Sequence, residues 1–325
     1  MAHIQNRRRT RPVELRASPA LALSSPARRR RPWPLRGTAR RVAVGYLFLL
    51  PSLAVIGVFM LWPIVQIVWY SLHQWSFVAT DHPFVGTDNY RQMAGDGRFW
   101  GDLRNTALFT LGVVPASVLL PLPVAVALHS KLRGRALFRA AYFLPAVSSY
   151  AIVAIVWSLL LQPDIGLLSY YSRLAHLPVA DWLHSTTWAL PAVMLVGIWK
   201  TFGFNLVILL TGIQNIPEGY YEAAQIDGAG ALARFVRITL PLLRPTLLFV
   251  TVTSMLASFQ IFDPVFVMTG GGPLFSTETL VSYIYHEGFQ LFDMGYASTL
   301  ACVLFLVVLA VTVVQLKVFR FQDEV

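Results

Sequence analysis

Carboxylates, small side chains and a glycine gather in one stretch of this 325-residue chain: Glu222-Ala223-Ala224, then Asp227-Gly228, then Leu240-Pro241 after a further helical run. Glu222 and Asp227 can pair with basic groups on a partner surface. Ala223 and Ala224 lack the bulk that would hold such a surface away, and Gly228 permits a sharp turn. Catalytic chemistry is harder to find. The chain has no Gly-x-x-x-x-Gly-Lys-[Ser/Thr] phosphate loop, so it does not bind ATP in the P-loop manner. Its seven histidines are scattered without a His-x-x-x-His pair, and the single Cys302 excludes an intramolecular disulfide or a cysteine metal cluster. No catalytic residue and no metal or cofactor site of its own is expected. A membrane enzyme such as a glycosyl- or lipid-transferase would need carboxylates or histidines grouped at one membrane face, and none are grouped so.

The elements that carry these residues are set by composition. The chain is 56% hydrophobic and 13% charged, with mean hydropathy +0.58; soluble domains are nearer about 25% charged. Residues 42–72 contain no Asp, Glu, Lys or Arg, and as helix they would outreach the hydrocarbon core of about 30 Å. Further spans are expected over 106–128, 140–161, 188–213, 246–268 and 296–316, giving an all-α integral membrane protein with about six transmembrane helices. The stretch after Arg41 is too long for the apolar region of a secretory signal, so it reads as a retained first helix.

Charge sets the expected orientation. Residues 1–41 hold twelve Arg and one acid, Glu14, while the remainder has 14 basic and 15 acidic residues. The net +10 is thus an Arg-rich, disordered arm ahead of a nearly neutral membrane domain. Nucleic-acid binding is disfavoured, and a topology signal on the anionic cytoplasmic leaflet fits better. With the arm inside, the loops at 129–139 and 214–245 and the tail 317–325 collect Lys and Arg. The external loop 269–295 has Glu278, Glu287 and Asp293 with no Lys or Arg. Both termini are therefore expected in the cytoplasm of a cell-membrane protein.

Within the spans, Lys200 and Asp263 stand nearly alone as charges, which makes a poor proton relay and argues against an ion-coupled carrier. Asp263 is expected either to line a polar path with Phe259 and Phe262, or to be a helix-end aspartate held by the turn at 269–272. Lys200 has three options: a polar cavity, a pair with Asp263, or snorkelling to a surface. Asn205 faces either a pore or a neighbouring helix. Most aromatic residues fit an interfacial belt.

The 214–245 loop reads as helix, turn, helix. Asn215 can cap, Pro217 suits the first turn, Glu218 complements the positive helix end, and Gly228 with Gly230 supply the turn. Taken alone, such a hairpin could simply lie on a membrane surface. Its full spacing is more specific: Glu222-Ala223-Ala224, Gly228, then Ile238-Thr239-Leu240-Pro241 resembles the EAA signature of ABC importer permeases. The run from Phe259 through Phe262-Asp263-Pro264 to Gly270-Gly271-Gly272-Pro273, with Ser276-Thr277-Glu278-Thr279-Leu280, is similar to the fifth-span ending of sugar permeases. So are Gly295-Tyr296-Ala297-Ser298 and the external Phe84 to Tyr90 and Arg104-Asn105-Thr106 segments.

The resemblance covers roughly residues 42–316 and points to the maltose/oligosaccharide branch, with the glycerol-3-phosphate branch open. It implies the type I ABC importer permease fold and half of a sugar pore. It also implies a coupling role for Glu222, Ala223, Ala224, Asp227, Gly228, Leu240 and Pro241. The implied partners are a cytoplasmic ATPase dimer that uses ATP and magnesium, a second permease chain, and an extracytoplasmic solute-binding protein.

Overall fold

The structure is a computed structural model that describes residues 35–129 and 135–320. Residues 1–34 of the expected arm, part of the short basic loop and the last residues of the tail lie outside it. The chain divides into two compact units, Met1–Gly57 and Val58–Val325. In the first, helix α1 (Leu35–Ile56) starts ahead of the apolar run. Residues 35–41, expected to belong to a disordered arm, are therefore helical. The apolar half of α1 is exposed, Phe48 to 81%, as hydrocarbon allows and water would penalise.

A π-helical turn (Gly57–Leu61) precedes α2 (Trp62–Ser71), and α3 (Asp88–Gly95) follows a loop. Helix α4 (Gly97–Leu119) starts at Asp96, whose carboxylate accepts the Arg98 N–H at 2.9 Å as an N-cap. The span expected from residue 106 is thus longer, and Arg98, Asp102 and Arg104 stand on helix. After Leu120, α5 (Pro121–His129) continues in nearly the same direction. The helices α6 (Arg135–Val147) and α7 (Tyr150–Leu161) replace the expected third span. They meet at 105°. Pro145 removes a backbone donor just before the break, and Ser149 adopts an extended cap conformation.

The short α8 (Leu167–Leu174) leads to α9 (Ala189–Gln214), an unbroken helix matching the fourth expected span. The hairpin follows as α10 (Glu218–Ile226), α11 (Ala231–Arg234), a π-helical turn (Phe235–Thr239) and α12 (Leu240–Leu242). A 67° bend starts α13 (Arg244–Phe259). The fifth expected span does not run through to Met268: α13 ends, three residues intervene, and α14 (Asp263–Met268) begins anew. Pro264 explains this, since inside a helix it would lack an N–H and collide with the preceding turn. Helix α15 (Leu280–Tyr285), a π-helical turn (His286–Gln290) and α16 (Met294–Arg320) complete the chain. Among the described residues the β-structure consists of two isolated bridges. Four helical stretches are long and apolar enough to cross a membrane, or six if each bent pair is one span.

Helix α9 is the axis of the second unit, flanked by α4, α5, α6, α13 and α14. One buried cluster joins Phe109 and Val113 of α4, Val153 and Ala154 of α7, Val193 and Val196 of α9, and Val265 of α14. A second joins Ala125, Leu209, Ile213, Leu243 and Val250 toward the hairpin. Close approach is enforced by Gly203, where a Cβ would collide with the Tyr142 carbonyl of α6.

Candidate functional site: the hairpin and the broken spans

The hairpin is built by local rules. Pro217, extended at ψ 132°, precedes α10, and Glu218 stands in its first turn. Asn215, expected as a cap, instead ends α9, its N–H bonding back to Thr211 and Gly212. At the other end Gly228 has φ +76°. Its N–H reaches the Gln225 carbonyl at 3.0 Å, and the Ala229 N–H reaches Ala224 at 2.8 Å. This is the paired closure of a Schellman motif, and a residue with a Cβ would be strained there. Glu222, Ala223, Asp227 and Gly228 are exposed and Ala224 is half-buried. Around them stand Ile226, exposed to 87%, and Leu232, to 75%. Apolar tips beside two carboxylates suit a protein surface better than either water or lipid. Leu240 and Pro241 lie at the base, where Leu240 packs on the cluster containing fully buried Leu243. A tie the sequence did not signal joins the two arms: Tyr221 and Thr239 share a hydroxyl bond at 2.9 Å.

At the breaks the structure separates residues that the sequence had grouped. The Lys200 Nζ donates to the carbonyls of Pro145 at 2.8 Å, Ala146 at 2.8 Å and Ser148 at 2.7 Å. It caps the end of α6, which is none of the three options open to it from sequence. The Tyr150 ring, first in α7, lies 5.7 Å from that ammonium. Asp263 is exposed in the first turn of α14, where a carboxylate suits the positive helix end. The turn that was to hold it is occupied otherwise, Thr269 bonding to Val265 and Thr277.

Phe262 stacks on Phe266 with ring centres 5.2 Å apart, and Tyr285 meets both at 5.1 and 5.4 Å. Phe289 extends this ladder at 5.6 Å from Tyr285. Phe259 takes no part, being 6% exposed against Val114, Met255 and α16. Asn205 is also inside, donating to the Ser117 carbonyl at 2.7 Å and the Ser254 hydroxyl at 3.0 Å. Of its two sequence options, the neighbouring helix is the one occupied.

The opposite end from the hairpin carries a polar network whose pairings no local pattern announces. Arg98 grips Glu278 through two bonds of 2.7 Å, between the rings of Phe275 and Tyr283 at 4.3 and 4.5 Å. Asp96 accepts from the hydroxyls of Tyr283 at 2.6 Å and Tyr296 at 2.7 Å. Burial would raise the Asp96 carboxyl, but these hydroxyls and the Arg98 and Phe99 N–H groups hold it below the usual carboxylate range. Asn105 adds bonds to the carbonyls of Phe275 and Glu278.

The arrangement is that of a membrane bundle with a polar cap, two interrupted spans and an exposed hairpin, and its fold occurs in known proteins. A chain of a bacterial ABC transporter involved in the import of the acidic polysaccharide alginate has the same fold, at TM-score 0.78 and 22% identity over 88% of this chain and 98% of that one. The trehalose/maltose transport system permease protein of Thermococcus litoralis is 35% identical over 285 residues, 88% of this chain and 96% of that protein. The sn-glycerol-3-phosphate transport system permease protein of Yersinia pestis is 34% identical over 282 residues, 86% of this chain and 94% of that protein. Residues 117–320, more than half of the chain, match the family described as binding-protein-dependent transport system inner membrane component. By that match and those relatives, the chain belongs to this family, the multi-pass membrane permease subunits of ABC importers.

Proposed function

We propose that this chain forms half of the translocation path for a sugar and couples that path to a cytoplasmic ATPase dimer through the α10–α12 hairpin. A second permease chain completes the path, and an extracytoplasmic solute-binding protein delivers the cargo to the capped end. ATP and magnesium act at the ATPase. Both termini and the hairpin lie in the cytoplasm, a reading supported by Arg234, Arg237 and Arg244 on the hairpin side and by the acidic loop opposite.

The observation that carries this reading is the exposed, Schellman-closed hairpin, with Glu222 and Asp227 beside bare Ile226 and Leu232. Its base is fixed in the core through Leu240 and Leu243, so a push on the tip reaches α9 and α13. Coupling of this kind needs a packed element with two arrangements. The Asp263 face, with Phe262 and Phe266, supplies hydroxyl acceptors and ring faces for a sugar. The test is Gly228→Val in the full transporter. It should abolish ATPase co-purification and uptake together while the permease pair still assembles. Normal uptake with the ATPase attached would sink the coupling assignment.

A further inference from the structure

We propose that the half-path presented by this chain selects an uncharged polyhydroxyl cargo and turns away anionic ones such as sugar phosphates and uronates. This rests on the reading of the chain as half of a sugar path and narrows it.

Depth comes first. Lys200 lies eleven residues into α9 (Ala189–Gln214), about 16 Å along at 1.5 Å per residue, near the middle of a core of about 30 Å. Tyr150 sits beside that lysine, and α14, headed by Asp263, packs on α7 and α9. Asp263 therefore belongs to the membrane interior, where facing lipid would be costly for a carboxylate. Its exposure means that this face meets a polar cavity or a partner chain.

The charge of that face follows from what surrounds Asp263. The rings of Phe262, Phe266, Tyr285 and Phe289 run on from it, with Phe266 45% and Phe289 57% exposed. Ring faces carry negative quadrupole density, which welcomes the C–H faces of sugars and repels anions. A path for anions would need a cation to answer them. Among the described residues, Lys200 is the cation placed at this depth; its ammonium keeps its charge, but all three of its N–H donors are committed to the carbonyls of Pro145, Ala146 and Ser148, which leaves none for an anion. Arg98 is spent on Glu278 in a bidentate pair. Arg104 opens onto a different cavity of about 430 Å³ beside Asp102 and Asn105 at the capped end. Among the described residues, the interior face offers an anion no free cationic donor, and offers a neutral polyol a carboxylate and a stack of rings.

The test uses a strain with the whole transporter, supplied with a panel of neutral sugars and polyols and their phosphorylated and uronic counterparts. Depletion of each is followed by mass spectrometry with and without this chain. Every compound whose uptake requires the chain is expected to be uncharged. Asp263→Lys should lower that uptake by more than about tenfold, the scale of one lost hydrogen bond to a charged acceptor, with ATPase co-purification intact. Asp263→Asn should stay within about tenfold of the parent. A chain-dependent anion, or Asp263→Lys transporting like the parent, overturns the proposal while leaving the permease reading standing. No chain-dependent compound at all, with no ATPase bound, overturns both.

Discussion

At the capped end, Arg98, Glu278, Asp96, Tyr283 and Tyr296 close a network of short charged bonds between residues up to 200 positions apart. At the hairpin end, a hydroxyl pair, Tyr221 with Thr239, ties the two arms, and the tip stands bare. The first region pairs its Arg98, Glu278, Asp96, Tyr283 and Tyr296 side chains with one another inside the chain. The second leaves carboxylates and apolar side chains for something else to meet. Under the proposed function, the tightly paired region is the one that receives cargo and the bare one is where a motor would attach.

Breaking the cap should cost most. Arg98→Ala strands Glu278 in a site where its side chain is 6% exposed, and a loss of about 3 kcal/mol is expected. The melting temperature of the purified complex reads it. Arg98→Lys should not restore stability, because an ammonium cannot make the paired fork; full rescue would show that charge alone matters. Lys200→Met comes next, at about 1–3 kcal/mol, since three carbonyls at the α6 break lose their donor. Melting like the parent would mean that water replaces the lysine.

Gly228→Val should invert the cap's behaviour, shifting global melting by no more than about 1–2 kcal/mol of local backbone strain while ATPase attachment is lost. If it melts the complex as Arg98→Ala does, the two ends are not independent. Tyr221→Phe is the gentlest change, at about 0.5–1.5 kcal/mol, measurable as faster proteolysis of the hairpin. Acid sharpens the contrast. The Asp96 carboxyl titrates below its unfolded counterpart, so its stabilisation is complete above the unfolded pKa and drains as pH falls through the folded one. Asp96→Asn should flatten the acid limb of cap stability, and an unchanged limb would assign it to another group.

Span positions and the hairpin were legible in the sequence because long apolar runs and a Pro217–Gly228 frame are local signals. The breaks were not. Proline is tolerated in membrane helices, so Pro145 and Pro264 did not by themselves outweigh apolar continuity. The cost appears at Phe259 and Phe262, three residues apart and on one face of any unbroken helix. Interruption after Phe259 rotates them apart, one into the core and one onto the aromatic ladder. Glu278 was visible as a loop charge, but a single sequence contains nothing that pairs it with Arg98, 180 positions away.

The lysine that closes the broken third span also sets a limit on it. Two half-helices meeting at 105° form an elbow, and an ammonium on a flexible four-carbon stem bridges that elbow to an unbroken neighbour. The elbow can flex as far as this leash pays out. Beyond that point bare carbonyls would face oil, so the swing of the half-helix is capped by the reach of one side chain.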